Sequence, residues 1–223
     1  MKTCIIIPAY NEEGSIKRVV DSIKEELPQC DYVVINDCSK DSTGRILDEC
    51  GLNHVDLLMN LGLAGAVQTG YKYALENGYD CAIQFDGDGQ HQARFIPEMI
   101  REIEKGADIV IGSRFATKKK DFSLRMIGSR ILTLVLYLKT GKKIADPTSG
   151  MRMLNKKMLF DYACNMNRNP EPDTLAYQLK KGAVIKEIQV EMDERSTGVI
   201  LYSGLMSSVK YMYRMVISIL FLV

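Results

Sequence analysis

Residues 81–91 read CAIQFDGDGQH, an apolar run that passes directly into a turn with two aspartates and two glycines. The run Cys81–Phe85 is short and continuous, which predicts a buried β-strand. Asp86 and Asp88 stand two residues apart on the turn that follows. Two carboxylates at this spacing supply the hard oxygen ligands that Mg²⁺ or Mn²⁺ binds, while other coordination positions stay open for phosphate oxygens. A glycine-rich turn with solvated acids is the alternative, and this stretch alone does not decide between the two.

Other kinds of aspartate-rich loop fit this turn less well. An EF-hand calcium loop needs Gly at its sixth position and Glu at its twelfth, where this chain has His91 and Pro97. A phosphatase-type nucleophilic aspartate also uses D-x-D, but the rest of that pattern is missing. His91 by itself is expected to pack behind the turn or to contact a ligand residue, rather than to bind a metal.

Further apolar runs alternate with segments whose apolar residues recur at helical spacing. The predicted strands are Cys4–Ile7, Asp31–Asn36, Val55–Leu58, Cys81–Phe85 and Asp108–Ile111. The predicted helices between them cover about residues 16–27, 42–50, 63–77 and 95–104. This alternation predicts an α/β fold with a mostly parallel sheet covered by helices on both faces. Because ligands of such sheets bind beyond the carboxyl ends of the strands, the polar segments after the strands are expected to meet at one edge.

The composition is that of a single globular domain. The 223 residues are 46% hydrophobic and 26% charged, which excludes a disordered chain, a collagen-like repeat and a small disulfide-rich protein. The 29 basic residues nearly balance the 28 acidic ones, so no nucleic-acid partner is expected. The segment 112–143 nevertheless contains nine Lys or Arg and one acid, Asp121, which predicts a surface for an anionic partner. The six cysteines lack metal-ligand spacing, which favours a reduced, cytosolic chain.

Two further loops have the character of a ligand site. The segment Asn60–Ala66 is small and glycine-rich and opens a predicted helix, so its backbone can approach a bulky ligand. It matches neither the dinucleotide-binding pattern nor the P-loop. Asp37 and Ser39 follow a predicted strand, where they can face a base or ribose, or cap a helix instead.

Six ordered motifs together resemble a known family. They are Pro8–Glu12, Asn36–Thr43, Asn60–Gly62, Asp86–His91, Gly112–Phe115 and Asp146–Arg152. The set resembles the family 2 glycosyltransferases of the GT-A fold, and within them the dolichyl-phosphate mannose synthase-like branch, which loads a sugar onto a polyprenyl phosphate. The resemblance runs from about Thr3 to Tyr211. It implies a single Rossmann-like domain with a mostly parallel sheet.

The resemblance implies a donor site for a nucleotide-sugar. The residues that would line the nucleotide-sugar pocket are Pro8, Tyr10, Glu12, Asp37, Asn60, Gly62, Asp86, Gly87 and Asp88. Those that would bind Mg²⁺ or Mn²⁺ on the diphosphate are Asp86, Asp88 and Gln90. The chain departs from the family where Asn36-Asp37-Cys38-Ser39 stands for the frequent Asp-Asp-Gly-Ser, so the nucleotide preference is open.

The resemblance also implies an acceptor site. The residues that would receive the acceptor phosphate are Arg114, Arg125, Ser129 and Arg195, and Arg114 would join Asp86 and Asp88 as catalytic residues. On spacing alone, Arg125 and Ser129 are equally typical of one polar helix face. Members that use a hydroxyl acceptor carry adjacent Glu-Asp as a general base, whereas this chain has Glu171-Pro172-Asp173.

The chemistry of a phosphate acceptor explains why a base is dispensable. A phosphate monoester has a second pKa near 6, so at neutral pH it is mostly a dianionic nucleophile. Basic side chains and a donor-bound metal then bring two anions together. The implied reaction is inverting transfer from UDP-GlcNAc or UDP-glucose, both guesses, to undecaprenyl phosphate in cell-surface polysaccharide synthesis. The alternatives are transfer to a sugar hydroxyl with Asp173 as base, and a non-catalytic nucleotide-sugar or lipid-phosphate binding module.

The C-terminal residues predict an amphipathic helix. We expect a catalytic domain over 1–204 and a membrane-associating helix over 205–223, where apolar residues recur at helical spacing around Lys210 and Arg214. The final nine residues, 215–223, are apolar except for Ser218 and would reach roughly 14 Å as a helix, too short to span a bilayer alone. The expected location is peripheral, on the cytoplasmic face of the membrane. The helix also suits a small membrane protein or a second copy, and packing on the domain is the alternative.

Overall fold

The structure is a computed structural model that describes residues 1–118, 124–165, 172–193 and 205–222, the positions 124, 125, 205–209 and 222 by their backbone alone. Its strands are β1 (Thr3–Ala9), β2 (Asp31–Asn36), β3 (His54–Asp56), β4 (Cys81–Gln84), β5 (Ile109–Ser113), β6 (Arg152–Asn155) and β7 (Ile185–Gln189). Its α-helices are α1 (Ile16–Glu26), α2 (Thr43–Glu49), α3 (Gly62–Glu76), α4 (Ile96–Glu104), α5 (Leu124–Thr140), α6 (Lys156–Asn165), α7 (Pro172–Lys180) and α8 (Leu205–Ile217). A 3₁₀ turn, Ala93–Phe95, precedes α4, and a π-helical segment, Ser218–Leu222, continues α8.

The described strands form one seven-stranded sheet in the order β3-β2-β1-β4-β6-β5-β7. β6 is antiparallel to its neighbours β4 and β5, while all other pairs are parallel. The predicted fold class, an α/β fold with a mostly parallel sheet, is therefore confirmed.

Helices cover both faces of the sheet, because side chains alternate between the two faces of each strand. In β1, Cys4 and Ile6 face the layer formed by α3, α5, α6, α7 and α8. Ile5 and Ile7 face the other layer, formed by α1, α2 and α4. The continuous apolar run in β1 is thus the signature of a strand buried on both faces.

Several strand boundaries differ from the sequence prediction. β1 continues through Pro8 to Ala9, since Pro8 pairs with Ile35 of β2 beyond the point where β4 ends its pairing with β1. β3 ends at Asp56 rather than at residue 58, and β4 ends before Phe85. β5 runs two residues further than expected, to Ser113, because it pairs along its length with β7, a strand that the sequence did not predict.

The C-terminal helix has one face in the core. Met215, Ser218 and Ile219 are buried against α5 and α7. The Ser218 hydroxyl donates a hydrogen bond to Oδ2 of Asp173 at 2.5 Å. Packing on the domain, the alternative left open from the sequence, therefore describes the inner face of this helix. In the part of the chain that is described, no helix is both long and apolar enough to cross a membrane.

We expect Ile219→Ala to lower the free energy of unfolding by about 3 kcal/mol, because truncating a fully buried aliphatic side chain leaves a cavity. Phe221→Ala is the matched control, because Phe221 lies two residues further on and is three-quarters exposed. This substitution should change the free energy of unfolding by less than about 0.5 kcal/mol. Urea denaturation of the two variants measures both values. Equal effects would mean that the helix is not docked as described.

Candidate active site

The candidate site lies where the chain direction across the sheet reverses. β1 leads through α1 to β2 on one side, whereas β4 lies on its other side. The loops that follow β1 and β4 both begin at the carboxyl edge of the sheet, and the helices they lead to, α1 and α4, lie in the same layer. This edge is the usual ligand position in open α/β sheets. Tyr10 directly follows β1, and Asp86 lies two residues after the end of β4.

Asp86 is oriented by three contacts. The Gln84 side-chain amide donates to Oδ1 at 3.0 Å. The Asp86 backbone N–H donates to Nδ1 of His91 at 3.0 Å, so the neutral ring carries its proton on Nε2, which lies 3.7 Å from Oδ2 of Asp86. The His91 ring packs edge-on against Phe85. The structure thus places His91 behind the carboxylate.

Asp88 is buried in a tight turn. Its Oδ1 accepts the backbone N–H of Gln90 at 3.0 Å. Gly87 has no room for a side chain, since a Cβ would stand 3.1 Å from the Pro8 carbonyl oxygen. Gly89 adopts φ +79°, a conformation that side chains rarely take. The two glycines therefore allow the turn that carries Asp86 and Asp88 to pack closely against β1.

The oxygen atoms on this turn suit a metal ion that is coordinated partly by the protein and partly by a bound ligand. In the described part of the chain, no group of three or more His, Cys, Asp or Glu side chains could hold a metal ion by itself. Asp86 and Asp88 provide two carboxylates. Mg²⁺ is commonly bound by one or two carboxylates together with substrate phosphates and water. Gln90, the third predicted ligand, has its side-chain amide 3.5 Å from the Asp193 carbonyl oxygen.

The loops after β1 and β2 are hydrogen-bonded to each other. Asn11 donates its backbone N–H to Ser39 Oγ at 3.0 Å and accepts the Lys40 N–H on Oδ1 at 2.8 Å. The Glu12 N–H donates to Thr43 Oγ1 at 2.8 Å. Asn11 and Cys38 both have φ +57°. The left-handed φ of Cys38 explains why the resembling family often has glycine at this position.

Asp37 fixes the start of α3. Its Oδ1 accepts the Leu61 backbone N–H at 2.7 Å, and the Asn60 side-chain amide donates to the Asp37 carbonyl oxygen at 3.1 Å. Gly62 follows with φ +73°. The Asp37 carboxylate thus holds the residue that precedes α3, and it caps neither α3 nor α2, the helix that follows Asp37 in sequence.

The other predicted nucleotide residues occupy different depths. Tyr10 is exposed directly after the end of β1, while Pro8 is buried within β1. Glu12 is buried and accepts the Ser15 hydroxyl on Oε2 at 2.7 Å. The Glu12 carboxylate thus contacts the start of α1.

Arg114 pairs with a buried carboxylate. Its Nε and Nη2 donate to the two oxygens of Asp146 at 2.7 and 2.8 Å, and Nη2 also donates to Thr148 Oγ1 at 3.2 Å. Burial by itself would raise the pKa of Asp146, but the hydrogen bonds and positive charge of Arg114 place that pKa below its ordinary value. Asp146 is therefore ionised and orients the guanidinium.

The remaining predicted acceptor residues are less completely described. Ser129 is buried on α5. The side chain of Arg125 and the whole of Arg195 lie outside the described residues. Asp173, the alternative base, is 4% exposed, and its Oδ2 accepts the hydrogen bond from Ser218. A base role would thus require the C-terminal helix to move away.

Sequence reasoning missed Gln84 and Gly150 as parts of the site. Gly150 lies against Asp86, since a Cβ there would stand 2.9 Å from Asp86 Oδ2. The one available signal for Gln84 was a polar residue inside an otherwise apolar strand. Gly150 lies in the motif Asp146–Arg152, which contributed to the family resemblance without being placed at the site, because the loop 146–151 precedes the antiparallel strand β6 instead of following a parallel one.

The family model of glycosyl transferase family 2 matches residues 4–162. The chain belongs to this family. The predicted enzyme class, a glycosyltransferase, is thereby confirmed.

Relatives of this glycosyltransferase include lipid-phosphate sugar transferases. An undecaprenyl-phosphate mannosyltransferase of Micrococcus luteus is 29% identical over 217 residues, 92% of this chain and 88% of the relative. A UDP-N-acetylglucosamine–dolichyl-phosphate N-acetylglucosaminyltransferase of Methanococcus voltae is 34% identical over 179 residues, 70% of each chain. A crystal structure of glucosyl-3-phosphoglycerate synthase from Mycobacterium tuberculosis with Mg²⁺ and UDP superposes with a TM-score of 0.71 at 17% identity, covering 97% of this chain and 78% of that one. At 17% identity, this last comparison shows a similar fold and nothing more.

Proposed function

We propose that this glycosyltransferase transfers a sugar from a nucleotide-sugar to a polyprenyl phosphate, with inversion and with a divalent cation. The observation that carries the proposal is that the loop 146–151 joins the two sides of the site. Asp146 in this loop binds Arg114, and Gly150 lies against Asp86. The carboxylates that would bind the donor's metal ion and the Arg114 guanidinium that would bind the acceptor phosphate are thus connected at one edge of the sheet. The lipid-phosphate acceptors in the names of the two relatives support the same substrate class.

On the donor side, Asp86 and Asp88 would bind Mg²⁺ or Mn²⁺, with Gln90 adjacent. Bound there, the cation would neutralise the diphosphate and stabilise the nucleoside diphosphate as it leaves. The nucleotide would lie along the carboxyl edge of the sheet, with Tyr10 after β1, Asp37 after β2, and Asn60 and Gly62 at the start of α3. The cation in a crystal structure of a similarly folded enzyme with UDP supports this placement.

On the acceptor side, Arg114 would receive the phosphate, together with Arg125, Ser129 and Arg195. Arg114 remains positively charged at any physiological pH, and Asp146 fixes the direction of its guanidinium plane. A dianionic phosphate attacks without losing a proton, so no base is required. The burial of Asp173 under Ser218 supports this acceptor over a sugar hydroxyl.

The membrane-facing surface would combine α5 with the C-terminal helix. The two helices lie side by side, since a Cβ on Gly128 would stand 3.1 Å from the Met212 sulfur and Lys139 Nζ donates to the Leu220 carbonyl oxygen at 2.7 Å. Their outward side chains include large apolar ones: Ile127, Ile131, Leu134, Tyr137, Leu138, Tyr213, Leu220 and Phe221. We call this set the outer face. Such a face beside exposed Lys210 and Arg214 suits peripheral binding to an anionic bilayer, and we propose the cytoplasmic leaflet. A second copy or a small membrane protein would use the same side chains.

A product assay tests the proposal directly. The full chain is incubated with membranes, MgCl₂ and each of several nucleotide-sugars, with UDP-GlcNAc and UDP-glucose first, and the lipid-linked and water-soluble products are separated. We expect a product in the lipid phase with undecaprenyl phosphate and none with a sugar-hydroxyl acceptor. Product from the hydroxyl acceptor alone would favour the alternative with Asp173 as base.

Arg195→Ala is expected to raise the KM for polyprenyl phosphate about 10- to 100-fold, because the acceptor phosphate would lose one hydrogen bond from a charged side chain. The Kd of UDP, measured by calorimetry, should stay unchanged, because every proposed nucleotide contact precedes Arg114. Arg101→Ala, an exposed arginine on α4, is the control for loss of one positive charge. Loss of UDP binding in Arg195→Ala would contradict the acceptor role.

A further inference from the structure

Two buried polar atoms behind the proposed metal site have no hydrogen-bond partner among the described residues. They are Oε1 of Gln84 and Nη1 of Arg152. Both residues are 2% exposed. Buried polar groups are nearly always paired, so two unpaired ones in the same region of a core require an explanation.

The two residues are direct neighbours across the sheet. Gln84 of β4 and Arg152 of β6 are Cα partners in the antiparallel ladder. Directly opposed residues on neighbouring strands place their Cβ atoms about 5 Å apart, on the same face of the sheet. One unpaired atom is an acceptor and the other is a cationic donor. They are therefore chemically complementary and within reach of one another, either directly or through one water molecule.

Arg152 also fixes the loop behind Asp86. Its Nε donates to the Ser149 carbonyl oxygen at 2.9 Å, and its Nη2 donates to the Pro147 carbonyl oxygen at 2.7 Å. Both carbonyls belong to residues shortly before Gly150, which lies against Asp86. Among the residues that the structure describes, no carboxylate oxygen lies within 4 Å of the Arg152 guanidinium nitrogens. The buried positive charge thus has dipoles, not an anion, as its immediate partners.

We propose that Arg152 and Gln84 are positioning residues for the cation site, an inference that rests on the proposed function of Asp86. Arg152 Nη1 directed at Gln84 Oε1 fixes which way the amide points. The amide N–H then faces Oδ1 of Asp86, as observed at 3.0 Å. With His91 Nε2 on the side of Oδ2, the carboxylate keeps one orientation, with its remaining lone pairs free for a cation. Partners that orient a metal ligand typically change metal affinity 10- to 100-fold.

Gln84→Met tests the positioning role in a chain that should still fold. Methionine has a similar volume, but it removes the acceptor for Arg152 Nη1 together with the donor to Asp86, so the melting temperature is expected to fall moderately while the native circular dichroism spectrum is kept. Mn²⁺ binding by the full chain, measured by electron paramagnetic resonance with and without UDP, is expected to weaken at least 10-fold. Gln178→Met is the matched control, because Gln178 on α7 is also 2% exposed and its side-chain amide donates to a different carboxylate, Oδ2 of Asp161, at 2.6 Å. It should leave Mn²⁺ binding unchanged.

Arg152→Lys provides a second, independent variant. It keeps the positive charge but loses the planar fork that reaches two carbonyls and Gln84, and weaker Mn²⁺ binding is again expected. Unchanged Mn²⁺ affinity in either folded variant would overturn the inference while leaving the proposed function intact. If the parent chain itself binds no Mn²⁺ in the presence of UDP, the proposed function and this inference both fail.

Discussion

Asp88→Asn is expected to lower turnover about 10³-fold while leaving the fold intact. The substitution removes one negative charge from the pair that would bind the diphosphate-bound cation, and such charge stabilisation is worth several kcal/mol in the transition state. The fold should survive because the amide oxygen of asparagine can still accept the Gln90 N–H that closes the turn. Initial rates over a range of MgCl₂ and MnCl₂ concentrations measure the effect.

Asp80→Asn is the matched control for Asp88→Asn. Asp80 directly precedes β4, at the opposite end of the strand from the site, and it is partly exposed. The same change of charge there should leave the rate within about twofold, as expected for a substitution outside the site. A rate and a Mg²⁺ dependence like those of the parent chain in Asp88→Asn would refute the metal assignment.

Removing three apolar side chains from the outer face is expected to lower partition onto anionic vesicles about 10³-fold. The variant carries Leu138→Ser, Tyr213→Ser and Phe221→Ser, at positions that are 70%, 71% and 73% exposed. Each side chain contributes about 1.5–3 kcal/mol when fully buried, so partial insertion of the three gives about 4 kcal/mol. Co-sedimentation with phosphatidylglycerol vesicles measures the partition. Activity on a long-chain acceptor should fall more than activity on a short, water-soluble one.

The control removes exposed apolar side chains elsewhere: Leu58→Ser, Met59→Ser and Phe160→Ser, all outside the outer face. It should sediment like the parent chain. Deleting residues 205–223 is a poorer test, because it would also remove the buried Met215 and Ile219 and so unfold part of the core. If the outer-face variant sediments as completely as the parent, the exposed side chains do not bind the bilayer.

Five strands and the position of the site could be predicted because their signals are local. Apolar runs such as Ile5–Ile7 must be buried on both faces, and that requirement identifies a central parallel strand. The D-x-D turn follows such a strand, so its place at the carboxyl edge follows from topology alone. The length of each strand was harder to predict from the sequence, because a strand continues only as far as the strand beside it pairs with it. β5 extends to Ser113 only because β7 pairs with it.

The parts that sequence reasoning missed depend on contacts between distant segments. The Asp37 carboxylate binds the backbone N–H of Leu61, 24 residues further along the chain and directly before α3. β6 runs antiparallel, so the loop before it, and not the one after it, reaches the site edge. The inner face of α8 carries ordinary amphipathic spacing, which is equally typical of a membrane helix and of a docked one. Only the position of α5 and α7 reveals which side faces inward.

The hydrogen bonds between the β1–α1 and β2–α2 loops have a thermodynamic consequence. Asn11 accepts from Lys40, and the Glu12 N–H reaches Thr43, so groups of the chain itself already restrain both loops. Loops that are ordered beforehand lose little conformational entropy when a ligand arrives. These two loops are therefore preorganised, and the affinity for the proposed nucleoside would depend on the contacts they offer rather than on the cost of ordering loops around it.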